Sequence, residues 1–112
     1  MNAISRNWFD IGPIEQIPPR GARLVKTPRR DIAVFRTAGD EIFALENRCP
    51  HRGGPLSEGI VHGRKVACPL HNWIIDLENG EATGADRGCA RRFAVKVERG
   101  RIYLDMGQAV IP

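Results

Sequence analysis

Two short runs, Cys49-Pro50-His51 and Cys68-Pro69-Leu70-His71, each join one potential thiolate to one imidazole. Sixteen residues separate the two runs, and only Cys89 among the three cysteines and His62 among the three histidines fall outside them. Thiolate sulfur and neutral imidazole nitrogen are both good ligands for transition metals. Four such donors in two matched loops therefore read as a metal centre built from Cys49, His51, Cys68 and His71.

The order of the donors separates two kinds of centre. Zinc-finger spacing keeps cysteines with cysteines and histidines with histidines. Here each loop carries one of each, which favours a [2Fe–2S] cluster with two cysteines on one iron and two histidines on the other. A structural Cys₂His₂ zinc site in an interaction module without redox activity is the alternative. Charge makes the mixed set consequential. Two ferric ions, two sulfides and two thiolates sum to zero, whereas four thiolates leave an oxidised cluster at minus two. The less negative cluster takes an electron more readily, so mixed-ligand potentials run from about −150 to +300 mV instead of about −400 mV.

The flanking residues suit such loops. Pro50 and Pro69 each follow a cysteine and fix φ there. Gly53 and Gly54 permit close backbone approach, so their N–H groups are expected to face cluster sulfurs, with Pro55 and Leu56 forming an apolar wall. A third loop from Ala82 to Cys89 is expected to cover the centre. Cys89 reads as a buried or incidental thiol and His62 as a surface residue in a turn. Trp73, two residues after His71, reads as a core residue beside the centre rather than an electron relay.

Short strands must position these loops. Apolar segments recur at residues 8–11, 22–25, 32–35, 42–45, 66–67, 73–77, 93–97 and 102–104. Several alternate at period two, as in Phe93-Ala94-Val95-Lys96-Val97, which predicts one strand with one buried face. Ala38-Gly39-Asp40, Glu78-Asn79-Gly80 and Glu98-Arg99-Gly100 are hairpin-type links. The pattern predicts an all-β sandwich or small barrel with no helix. Pro18-Pro19 and Pro28 mark loops or an edge strand. The segment at about 48–84 reads as an insertion carrying the ligand loops.

At 112 residues the chain reads as one domain, 1–112, burying roughly 65% of its unfolded surface. The net charge is +4. Arg20, Arg23, Lys26, Arg29 and Arg30 crowd one acid-free stretch, where the plain reading is a solvated loop and strand edge and the functional one is docking onto an acidic protein. No aromatic residues are interleaved there for base stacking, so no nucleic-acid partner is expected. No apolar run approaches the roughly 20 residues of a membrane span, and the first residues lack the apolar stretch of a secretory signal. Three cysteines without an export signal fit a reducing compartment, where thiols serve as ligands rather than disulfides, and the expectation is a cytoplasmic protein.

The run from Asn47 through Cys49, His51, Gly53-Gly54-Pro55-Leu56-Ser57 and Gly59, followed by Cys68-Pro69-Leu70-His71-Asn72-Trp73, resembles the Rieske superfamily. Within it the chain most resembles the small subunit of assimilatory NAD(P)H nitrite reductase. That resemblance implies a Rieske-type antiparallel β-sandwich with an inserted cluster-binding subdomain of two ligand loops. It also implies an electron-transfer subunit without a complete active site of its own. Its partner would be a large subunit that carries flavin, a [4Fe–4S] cluster and sirohaem and reduces nitrite to ammonium. A Rieske-type ferredoxin serving an aromatic-ring dioxygenase or similar oxygenase is the alternative. Cytochrome bc₁-type members have a disulfide between the ligand loops and hydroxyl side chains after the second histidine. The corresponding places here hold Gly54 and Leu70, and Trp73 and Ile75, which implies no loop disulfide and a potential in the lower part of the Rieske range.

Overall fold

The computed structural model describes residues 7–84 and 87–105. Among the described residues ten strands form three antiparallel sheets, and the only helical pieces are 3-10 turns at Ile14–Gln16 and Leu56–Glu58. The first sheet contains β1 (Trp8–Pro13), β9 (Val95–Glu98) and β10 (Arg101–Asp105), in the order β1-β10-β9. The second contains β2 (Gly21–Lys26), β3 (Asp31–Arg36), β4 (Ile42–Glu46) and β8 (Arg92–Phe93), in that order. The third, β5 (Ile60–His62), β6 (Lys65–Ala67) and β7 (Ile74–Asp76), is a meander between the two ligand loops and just beyond them.

β3 explains how the sheets stack. Ile32, Ala33, Val34 and Phe35 are all buried, as expected of a strand covered on both faces. Alternation then sends them to two different cores. Ala33 and Phe35 join Leu45, Leu56, Val61, Val66 and Ile75, the core shared with the third sheet. Ile32 and Val34 join Ile17, Ala44, Phe93, Ile102 and Leu104, the core shared with the first. Burying each of the larger apolar side chains among them contributes about 1.5–3 kcal/mol. The second sheet is thus the middle layer, and its Leu45 face leads directly into the first ligand loop.

The expected single strand at 93–97 is two strands. Phe93 pairs with Ala44 in the second sheet, while Val95 pairs with Leu104 in the first. Ala94 is the crossing point, its carbonyl accepting a bond from the Asp105 N–H. Strands that change sheets close the corner of a sandwich, and the far end, Val97, is exposed rather than buried. The other links match their turn residues. Arg99 and Gly100 both have positive φ, the signature of a two-residue hairpin that follows the strand twist. β2 lies at a sheet edge, and its Arg23 side chain bonds back to the Ile11 carbonyl. Arg23 and Lys26 thus lie on a strand edge, and Arg20, Arg29 and Arg30 lie on the links that flank it.

Candidate functional site

The two ligand loops share one backbone device. In the first, the Cys49 N–H donates to the Gly54 carbonyl and the Gly53 N–H returns to the Cys49 carbonyl, both at 2.8 Å. In the second, the Cys68 N–H donates to the Trp73 carbonyl at 2.8 Å and the Asn72 N–H to the Cys68 carbonyl at 3.0 Å. The fourth residue after each cysteine, Gly53 or Asn72, adopts positive φ. Glycine and asparagine tolerate that conformation best. Each cysteine thus opens a closed loop whose shape its own backbone fixes. Asn47 adds a brace, its side-chain oxygen accepting the Ser57 N–H at 2.7 Å.

The loops bring all four sequence-identified donors together. Cys49 and Cys68 are each only 2% exposed and belong to the core beneath the loops, with Leu56 fully buried beside them. Their thiols touch. Burial pushes the Cys49 thiol above its ordinary pKa and the neighbouring Cys68 thiol adds to the rise, while the backbone N–H groups of His51 and Arg52 pull the other way. The imidazoles lie outward, His51 half-buried and His71 exposed, with ring centroids 4.9 Å apart and edge to face. Thiols inside and imidazoles at the surface suit a cluster with one iron near each pair. Among the described residues no three His, Cys, Asp or Glu side chains converge on one ion position.

Several flanking residues take roles that their types alone did not reveal. The Gly53 N–H is committed to the Cys49 carbonyl, so the N–H groups that reach Cys49 sulfur are those of His51 and Arg52. Gly54 serves close approach instead. A Cβ there would lie 2.7 Å from Cys68 Sγ and 2.9 Å from Leu70 Cγ. The same proximity places Gly54 beside Leu70, and all three cysteines are free thiols. Trp73 is half-buried and stacks flat on His51, centroids 4.3 Å apart and planes at 2°. Gly88 closes against Pro50 and Trp73, so this part of the expected third loop does approach the site; residues 85 and 86 lie outside the described residues. Cys89 is exposed, not buried, and lines a groove with Cys49, Pro50 and His51. His62 is exposed as expected, but it ends β5 rather than lying in a turn.

The Rieske [2Fe–2S] domain model matches residues 7–95. The chain belongs to that family, and its cofactor is a Rieske-type [2Fe–2S] cluster, which the donor set fits. It is an electron-transfer domain of the oxidoreductases. Among relatives, the chain is 32% identical to the ferredoxin component of the naphthalene 1,2-dioxygenase/salicylate 5-hydroxylase systems of a Ralstonia species, over 92% of this chain and 99% of that one. It is 35% identical to a 4beta-methylsterol monooxygenase of Methylococcus capsulatus, where 93% of this chain spans only 31% of the relative. A crystal structure assigned as the small subunit of an NADH-dependent nitrite reductase from Mycobacterium tuberculosis superposes with a TM-score of 0.80 at 22% identity, covering 90% and 96% of the two chains. At that identity the likeness concerns the fold. Among the described residues no helix is long and apolar enough to cross a membrane.

Proposed function

We propose that Cys49 and Cys68 hold one iron of the cluster, that His51 and His71 hold the other, and that the chain is a cytoplasmic ferredoxin-type carrier made of one Rieske domain. The observation that carries this reading is the pairing of two buried, neighbouring thiols beneath two outward imidazoles. The cluster supplies reversible one-electron chemistry. The chain supplies a dry inner wall from Leu56, Val61 and Val66 and backbone donors to Cys49 sulfur. The exposed edges of His51 and His71 serve as the port where a partner comes within electron-transfer distance.

An oxygenase system is the first reading for that partner, supported by 32% identity across nearly the whole of a dioxygenase ferredoxin component. The large subunit of an NAD(P)H nitrite reductase, with sirohaem, flavin and [4Fe–4S], is the second. It is favoured by the Gly53-Gly54-Pro55-Leu56-Ser57 and His71-Asn72-Trp73 runs and by the shared fold. Iron and acid-labile sulfide analysis tests the ligands: C68S should lose the cluster, and a variant that keeps it overturns the assignment. Purification of the native complex tests the partner. Co-purification of an oxygenase or its reductase supports the first reading, and a sirohaem flavoprotein replaces it with the second.

A further inference from the structure

Charge is distributed unevenly over this surface. Away from the ligand loops, Arg36 is paired with Asp40, Arg64 with Glu41, Lys96 with Glu98 and Arg101 with Asp10. Cations there that are unpaired among the described residues, such as Lys65 on β6 and Arg99 at the β9–β10 turn, lie singly on separate elements. Around the first ligand loop unpaired cations cluster. Arg48, Arg52 and Arg91 line the groove that includes His51. Arg29 and Arg30 join Arg48 and Arg52 in an adjoining groove. Among the described residues these five arginines make no ion pair, and only Asp31 and Glu46 line the same grooves with opposite charge. Arg48 lies over Gly53, while Arg30 and Arg91 face the Phe93 ring, so part of the array is held in place rather than trailing in solvent. On the second loop Leu70 is 51% exposed beside exposed His71. An apolar, imidazole-tipped centre with a charged flank has the anatomy of a docking face.

We propose that the redox partner docks here through an acidic patch surrounding its own electron port, with carboxylates in the arginine grooves and an apolar contact on Leu70. The inference rests on the reading of His51 and His71 as the port. The charge suits any polyanion, and an acidic protein is favoured over nucleic acid because the half-exposed aromatic Phe9 lies on β1 in the distant first sheet and Trp73 is stacked on His51. Arginine forks suit carboxylates, and unpaired positive charge steers an acidic partner toward the port.

Two probes test this on the holoprotein. In stopped flow, one electron passes from the dithionite-reduced protein to ferricyanide, giving ferrocyanide, or to tris(phenanthroline)cobalt(III), giving the cobalt(II) complex. Raising NaCl from about 10 to about 200 mM should slow ferricyanide about fivefold or more and speed the cationic oxidant. R48E/R52E should reverse both trends, while R99E, at the distant β9–β10 turn, should leave them as in the wild type. Fluorescence anisotropy of a labelled oligoglutamate peptide reads the same face without electron transfer, and R48E/R52E should weaken binding about tenfold or more. Equal salt trends for both oxidants, equal losses in R99E, or tighter binding of a labelled DNA duplex than of the peptide overturns the proposal. A wild-type protein with no [2Fe–2S] absorbance instead overturns the ligand assignment, and the anisotropy result still decides the acidic-partner question.

Discussion

Trp73 lies flat against His51, two rings from different ligand loops held 4.3 Å apart and within 2° of parallel. The contact ties the second loop to a donor of the first, and Gly88 packs against the first loop, where a Cβ would lie 2.8 Å from Pro50 Cβ. A stacked aromatic pair contributes about 0.5–1.5 kcal/mol beyond the area it buries.

Replacing Trp73 with alanine should therefore destabilise the holoprotein by about 1–3 kcal/mol. It should also broaden the spread of cluster environments seen by electron paramagnetic resonance. Trp73→Phe should retain most of both properties. Thermal melts and line widths of the two variants check this, and equal behaviour of the two would remove the stack from the account.

Gly54→Ala probes the close approach of the loops. The added methyl meets Cys68 Sγ and Leu70 Cγ well inside van der Waals distance, and relieving such overpacking costs about 1–3 kcal/mol. Lower iron and sulfide content per chain is the expected result. Gly63→Ala is the contrast: it carries backbone strain at φ 60° but meets no neighbour, so its cluster content should match the wild type.

How much of this was legible in the sequence depended on what each feature rests on. Cys49, His51, Cys68 and His71 could be named as candidate donors because ligand chemistry requires those residue types. β3 and β4 were visible because their apolar runs are long and bounded by turn residues. The division at Ala94 was not, because period-two alternation continues unchanged when a strand passes from one sheet to another. β5 was missed because Ile60–His62 is short and its Ile60 is exposed. The bond from the Gly53 N–H to the Cys49 carbonyl was not legible, because N–H direction follows from loop hydrogen bonding, which residue type does not encode. The Trp73–His51 stack joins two loops, so no local pattern announces it.

The midpoint potential should fall in the lower part of the range of about −150 to +300 mV. Trp73 and Ile75 bring no hydroxyl to the site, and Ile75 is fully buried. The exposed arginines push the potential upward, but water and salt screen them. A redox titration with a clearly positive midpoint contradicts this expectation.

The pairing of β1 with β10 should show its own acid dependence. Arg101 donates to Asp10 at 2.8 Å, and this bond with that from the Gly12 N–H holds the Asp10 carboxyl below its ordinary pKa. A carboxyl depressed in the folded state stabilises above its unfolded value, and that contribution is lost as pH falls through the folded one. Asp10→Asn should thus lower the Tm slightly at pH 7. The difference from wild type should close on acidification below about pH 4. Melts across that window check the sign; a gap that widens toward acid pH refutes it.

The ligand assignment is the central claim, and pulsed electron paramagnetic resonance on reduced protein containing ¹⁵N-labelled histidine tests it most directly. Two histidine nitrogens should couple to the unpaired spin, and either His51→Ala or His71→Ala should abolish that two-nitrogen pattern. A colourless, zinc-containing protein without the signal, or a [2Fe–2S] signal with no histidine coupling, would contradict the account.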